Sequence, residues 1–336
     1  MPARAAPLRR SPHLLRTCYR AVLPTRGAAC DASGMRRLLA IAVVASGCAA
    51  QPARVADRPA PPAAPAAPAP NVPADVTIPL SGGANALWWD AASSTLYLTD
   101  GNASAVVTWT DAGGLQTAAT LPAGSAGVSL GGIVRRSDGT LVVASFGFGT
   151  QGGLFAVADG AATALTGLDP ARRRVGLAQD ASGAIYSAYF VGRRGVEPVG
   201  GVVRVAIAGA AATETEIASG FHKAVGIAAT PDAVFVSDQT ARAIFRIAVP
   251  GYAVSQLASV PAVDLLAVMP NGDLLTGGGP TISRITQRGE VTTLPGAGFE
   301  QVRGLAYDAA GKRLFAIDHS VTVGQPDKLR ILRLAE

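Results

Sequence analysis

Gly304-Leu305-Ala306-Tyr307-Asp308, a glycine turn and then Arg313-Leu314-Phe315-Ala316-Ile317-Asp318 make one unit of a repeat. A small residue opens a short apolar strand, a turn follows, and a second apolar strand ends in a polar residue. The inner strands of successive units open at Ala86, Gly132, Gly176, Gly226, Leu265 and Gly304, at intervals of 46, 44, 50, 39 and 39 residues. Periods of about 40–45 residues that each hold several short strands are the mark of four-stranded propeller blades. The turns between first and second strands read Asp138-Gly139, Ser182-Gly183, Asn271-Gly272 and Ala310-Gly311. Glycine there supplies the positive φ of a tight hairpin. Outer strands follow, as in Ala243-Ile244-Phe245-Arg246-Ile247-Ala248, with the alternation of half-buried strands. The last unit stops after three strands, at Lys328-Leu329-Arg330-Ile331-Leu332-Arg333-Leu334, and a spare strand, Asp75-Val76-Thr77-Ile78-Pro79-Leu80, precedes the first. The spare strand is expected to complete the last blade and remove two exposed edges. The fold class is therefore an all-β, six-bladed β-propeller over residues 75–336, closed by an N-terminal strand.

The rest of the 336-residue chain has a different character. Residues 1–48 hold eight Arg and one acid, Asp31, so the formal charge of +6 comes from the leader and leaves about −1 for residues 49–336. A domain without a basic surplus is not built to neutralise phosphates, which argues against nucleic acid as a partner. All three cysteines (18, 30 and 48) lie in the leader, so the propeller has neither disulfides nor cysteine metal ligands. Met35-Arg36-Arg37 followed by Leu38–Ala45 reads as the charged and apolar parts of a signal peptide, too short for a stable membrane span. It ends in Ala45-Ser46-Gly47-Cys48, which resembles a bacterial lipobox with Cys48 as the lipidated residue; the other reading is a plain cleaved signal. Residues 48–74 are an Ala/Pro-rich tether with no periodicity, expected to be a disordered, extended spacer. The expected organisation is an N-terminal extension (1–34) upstream of a start at Met35, a lipoprotein-type signal (35–47), the tether (48–74) and the propeller. The implied location is the bacterial cell envelope, on the outer membrane facing the periplasm, held through the lipid alone, as a monomer.

In a propeller the starts of inner strands and the ends of second strands open on one face around the channel. That rule collects Asn85, Asp100, Arg174, Asp238, Asp264, Arg303, Asp318 and His319, with His222, Lys223 and Glu300 in adjoining loops. The third unit has an insertion on that face, Phe190 to Gly201, read as a long loop carrying Arg193, Arg194 and Glu197. Oxygen-rich clusters of this kind suit Ca²⁺ or another divalent cation. An Asp that ends a second strand also commonly just caps the following turn.

Residues 75–336 resemble the gluconolactonase/regucalcin-like family of six-bladed propellers, and the repeats also look NHL-like. The matches lie at Asn85-Ala86-Leu87-Trp88-Trp89-Asp90, Val225-Gly226-Ile227-Ala228 and Arg303-Gly304-Leu305-Ala306-Tyr307-Asp308. The resemblance implies one channel cation held by a Glu, two Asn and an Asp that open inner strands. By position the Glu falls at Asn85, the Asp at Asp264, and the two Asn near Arg174 and at Val225. The implied function is a lactonase-like hydrolase of a lactone or small ester, with metal-assisted water attack and Asp264 as general base. Arg174, Arg193, Arg194, Lys223 and His319 would bind substrate, and Asn85, Asp264, Asp238 and Asp318 would hold the metal. The alternative is a non-catalytic propeller that binds a ligand or an envelope protein.

Overall fold

The structure is a computed structural model and describes residues 74–122, 129–147, 149–193, 195–294 and 298–334. The signal, Cys48 and all of the tether before Ala74 lie outside the described residues, as does Arg194. The first blade is β1's successor in the chain: after β1 (Ala74–Pro79) come β2 (Ala84–Asp90), β3 (Thr95–Asp100), β4 (Ala105–Thr110) and β5 (Gly114–Thr120). The second contains β6 (Ser129–Arg135), β7 (Leu141–Phe146), β8 (Gly153–Ala158) and β9 (Ala161–Ala164). The third contains β10 (Arg173–Gln179), β11 (Ile185–Arg193), β12 (Val196–Ala208) and β13 (Ala211–Phe221). The fourth contains β14 (Ala224–Thr230), β15 (Ala233–Asp238), β16 (Ala243–Ala248) and β17 (Val254–Ser259). The fifth is short-stranded: β18 (Leu266–Val268), β19 (Leu274–Thr276), β20 (Ser283–Ile285) and β21 (Val291–Thr293). The last contains β22 (Val302–Asp308), β23 (Arg313–Asp318) and β24 (Lys328–Arg333).

Each blade is an antiparallel meander, and β1 pairs with β24 as the fourth strand of the last one. The inner strands touch in a closed cycle, β2–β6–β10–β14–β18–β22 and back to β2. The first two blades are joined by a single parallel pairing, Thr120 with Ala161. The apolar cores lie between blades. Trp89 of β2 stacks on Phe315 of β23 at 5.1 Å, inside a cluster that also holds Leu96, Leu98 and Ile317. Val142 and Ala144 pack with Leu177, Ile185 and Val203 across the second and third blades. Alternation along each strand sends successive side chains to opposite neighbours, so burying both faces of every sheet needs the complete ring.

Three of the four expected hairpin glycines, Gly139, Gly183 and Gly272, have φ of 88°, 86° and 81°. The fourth turn differs: Lys312, not Gly311, takes the left-handed conformation at φ 52°. Gly311 instead makes room for the Asp308 carboxylate, which accepts its N–H at 3.0 Å.

Five of the six inner strands are bulged near their N-terminal ends; the register shifts at Ala84/Leu87, Leu130/Ile133, Arg174/Leu177, Ala224/Ile227 and Val302/Leu305. A bulge leaves ladder groups unpaired. Buried hydroxyls from second strands take them up. Thr99 accepts from the Ala86 N–H and donates to the Gly131 carbonyl; Ser237 accepts from the Gly226 N–H and donates to the Asp264 carbonyl at 2.6 Å. Gly226 lies so close to the next blade that an added Cβ would fall inside van der Waals contact of the Asp264 carbonyl and 2.6 Å from Ser237 Oγ. Gly226→Ala is therefore expected to lower stability by about 1–3 kcal/mol, the usual cost of overpacking. Denaturant unfolding checks it: an unchanged midpoint would contradict the close approach.

Candidate functional site

Neighbouring blades meet at equivalent places. The carbonyls of Asn85, Val175, Val225 and Asp264 each face a glycine of the preceding blade, Gly304, Gly131, Gly176 and Gly226 respectively. Together with Arg303, which directly precedes Gly304, these residues ring one end of the channel, the mouth. The third-blade position is thus Val175, one residue beyond the Arg174 expected from the sequence. It is the residue directly before Gly176, as Asn85, Val225, Asp264 and Arg303 directly precede Ala86, Gly226, Leu265 and Gly304.

Asp264 is the centre of the ring. Its backbone is pinned on both sides: its N–H donates to Thr276 Oγ1 at 3.1 Å, and its carbonyl accepts from Ser237. The residue is 8% exposed. Burial pushes the carboxyl up to about 6, against the pull of the Arg303 and Lys223 cations and the Leu265 N–H. Asn85 is buried too and donates from Nδ2 to the Leu130 carbonyl at 2.8 Å. Phe190 of β11 packs with Ala86, Val175, Val225 and Leu265 as one buried apolar cluster, and Phe146 lies against it. Two cations lie over these rings: Arg173 Cζ is 4.8 Å from the Phe190 centroid and 6.0 Å from that of Phe146, and Lys223 Nζ is 5.8 Å from Phe190. Arg173, Phe146 and Phe190 were not singled out from the sequence. Their signal was an aromatic residue at the register position where β3, β15 and β23 carry Asp, legible only once the strand pairing is known.

Several expected site residues have other work. Arg174, expected to bind substrate, is fully buried; its guanidinium bonds Glu214 Oε1 from Nε at 2.9 Å and from Nη2 at 2.6 Å, and Nη1 donates to the Asp169 and Arg172 carbonyls. Asp238, expected as a metal ligand, accepts backbone N–H bonds from His222, Lys223, Thr240 and Ala241. Asp318 accepts from the Glu300 N–H at 2.8 Å and from Arg330 at 3.3 Å. Asp100 caps its turn through Asn102 and Ala103. These aspartates close the loops of the mouth and are not drawn together into it. His319 Nδ1 lies 2.8 Å from Asp327 Oδ1, with the imidazole partly exposed. His222 lies between Glu197 at 3.4 Å and Asp238 at 3.6 Å. The Phe190–Gly201 insertion is not a loop: β11 and β12 continue as a paired hairpin, Val191 with Val199 and Arg193 with Val196.

The ring does not fit a divalent cation. Of the four positions that would carry ligands, two hold valine, which leaves the ring one neutral amide oxygen, from Asn85, and one carboxylate. The lone carboxylate has two protein cations for neighbours. Among the described residues no group of three or more His, Cys, Asp or Glu side chains could hold a metal ion. At the other end of the channel lies a cavity of about 290 Å³ whose lining, including Trp88, Leu177 and Tyr307, carries no carboxylate or cation. Charged chemistry in the channel therefore sits at the mouth.

No family model and no curated protein sequence matches the chain. Solved structures do match in fold. A luciferin-regenerating enzyme superposes with a TM-score of 0.61 at 13% identity, covering 77% of this chain and 95% of its own. A gluconolactonase from Xanthomonas campestris gives 0.59 at 19% identity, with 80% and 99% covered. A calcium-binding protein, regucalcin, from Agrobacterium tumefaciens gives 0.59 at 16% identity, with 77% and 94% covered. The chain thus shares the propeller fold of gluconolactonase and regucalcin, the proteins its repeats resemble, and at these identities the likeness is one of fold.

Proposed function

We propose that the channel mouth is the site of a lactonase-like hydrolase that opens a lactone or a related small ester. The observation that carries this reading is Asp264, a nearly buried carboxyl held near 6 on a pinned backbone with Arg303 and Lys223 as its charged neighbours. A group poised there is largely ionised at neutral pH yet basic enough to take a proton. The fold neighbours include a gluconolactonase, which supports the same class of reaction.

In this mechanism the Asp264 carboxylate accepts a proton from water as the water oxygen bonds to the lactone carbonyl carbon. The carbonyl oxygen gains the negative charge, and Arg303 and Lys223 stabilise it electrostatically. Collapse re-forms the carbonyl and breaks the ring C–O bond. The departing oxygen takes the proton from Asp264, which returns to its carboxylate, and the product is the hydroxy acid. A divalent cation is not part of this reading, because the donor set does not fit one. The expected result with a chelator is an unchanged rate of lactone opening, followed by proton release at constant pH. A loss of activity restored by calcium would contradict it.

The reading includes an envelope anchor through Cys48, supported by the lipobox-like Ala45-Ser46-Gly47-Cys48 and the Pro-rich spacer. β1 enters beside Leu332, at the end of its blade opposite the mouth, and runs towards Lys328. A second reading, a propeller that binds a small molecule without turning it over, is favoured by the valines at ring positions 175 and 225. A lactone screen on the intact protein separates the two: ligand-induced stabilisation with no hydroxy acid formed would select the binder.

A further inference from the structure

We propose that the end of the channel opposite the mouth is a second binding site, which takes a small uncharged ring molecule carrying both a hydrogen-bond donor and an acceptor. It goes beyond the hydrolase reading and does not rest on it. The site is the cavity of about 290 Å³ between the C-terminal halves of the six inner strands. Towards the mouth the channel narrows to a space of about 20 Å³. That constriction is bounded by Leu87, Ile133, Leu177, Ile227, Leu266 and Leu305, one from each blade, and the same six residues form the floor of the cavity. It has room for about one water molecule, so a ligand that enters from the far end stops there.

The chemistry of the wall decides the ligand class. Each inner strand hydrogen-bonds a single neighbour and so ends its sheet. Its side chains alternate into the gaps between blades: Leu177 packs between the second and third blades, Ala178 between the third and fourth. The channel is therefore faced by six strand edges, rows of N–H and C=O groups without a strand partner. The outer part of the cavity adds Trp88, Gln179 and Tyr307, and among the described residues no charged side chain lines it. Trp88 and Gln179 also border a groove beyond the cavity. The charges there are taken up locally: Arg135 pairs with Asp90 at 2.6 Å and Arg136 with Asp138 at 3.3 Å. Asp180 accepts from the Ser182 and Ala184 N–H groups and the Tyr186 hydroxyl. An ion entering the cavity would give up its hydration and meet no opposite charge. A hydrocarbon would displace water from the strand edges and return no hydrogen bond. A neutral ring with a donor and an acceptor keeps those edges paired, and its faces suit the aromatic walls.

The test is equilibrium binding of three bicyclic probes to the full chain: 2-quinolinone, a neutral cyclic amide; naphthalene, its hydrocarbon counterpart; and quinaldate, an anion on the same frame. 2-Quinolinone is expected to bind about ten-fold more tightly than either of the others, the scale set by one unpaired hydrogen-bonding group. Trp88→Ala is expected to weaken it about ten-fold, and Trp88→Phe, which keeps a ring, by less. Asp264→Asn should leave the affinity unchanged, and Trp88→Ala should leave lactone turnover unchanged. The comparison of probes and the Asp264→Asn result stand even if Trp88→Ala does not fold. No binding of 2-quinolinone, equal binding of naphthalene or quinaldate, an affinity lost in Asp264→Asn, or one kept in Trp88→Ala would each overturn the proposal. The expected binding pattern in a protein that opens no lactone would uphold the second site and overturn the hydrolase reading alone.

Discussion

Asp264→Asn is expected to lower lactone hydrolysis by about 10²–10⁴-fold, the range supplied by a positioned general base. The amide preserves the shape of the side chain and removes its capacity to take a proton. The same change is expected to stabilise the protein above pH 6. Asp264 has a folded value of about 6, raised from 3.8, so burial favours the neutral acid. Stability linked to this group is fully present below the unfolded value and is lost as pH rises through 6. At pH 8 the parent carries a buried carboxylate that is not fully compensated, and the asparagine variant does not. The gain is of the order of 2–3 kcal/mol, since one pKa unit corresponds to about 1.4 kcal/mol. Thermal melts at pH 4 and pH 8 check it: the variant should gain on the parent only at the higher pH. Activity loss paired with a stability gain is what a functional residue leaves behind, and a structural one does not.

Arg174→Ala should act the other way, on the fold and not on the chemistry. The guanidinium is fully buried and bonds Glu214 and the carbonyls of Asp169 and Arg172. It ties the inner strand β10 to the outermost strand β13 of the same blade. Removing it leaves Glu214, whose side chain is 8% exposed, with only the longer 3.5 Å contact to Arg172. Breaking a buried pair from one side typically costs about 3–5 kcal/mol. For a domain of this size that is about 10 °C or more in melting temperature. At a temperature where the variant is still folded, its KM for a lactone should match the parent. An unchanged melting point with a raised KM would return Arg174 to the substrate site. Replacing both partners with apolar residues, as in Arg174→Met with Glu214→Leu, should recover most of the loss.

The fold was legible because its repeat is long-range and redundant. Each blade restates the same small-apolar-turn-apolar pattern, so a weak unit such as the fifth, with three-residue strands, is carried by its neighbours. The spare N-terminal strand was legible for a related reason: seven positions of apolar alternation at the C-terminus lacked a partner. Asp264 stood out because it directly precedes an apolar strand at a known place in the period. Which of two adjacent arginines lines the mouth was not legible. Arg173 and Arg174 differ by one residue, and only the side-chain contacts separate them: Arg173 lies over the Phe190 ring, and Arg174 turns to Glu214. The hairpin at Phe190–Gly201 was hidden too. Gly192, Gly195, Pro198 and Gly200 read as breakers, yet the register shift between Val191 and Arg193 absorbs the proline and pairing resumes. The aspartates ending second strands carry no local sign of whether they bind a cation or a backbone. Their geometry decides it: backbone N–H groups converge on Asp238, and the Glu300 N–H and the Arg330 guanidinium take up Asp318.

The central claim is that Asp264 is the proton acceptor of the mouth, and the pH dependence of kcat/KM for a lactone tests it most directly. The account predicts a rise with pH through an inflection near 6, where Asp264 ionises, and a plateau above it that chelator leaves unchanged. In Asp264→Asn the inflection and the rate should vanish together. A parent-like profile in that variant would contradict the account.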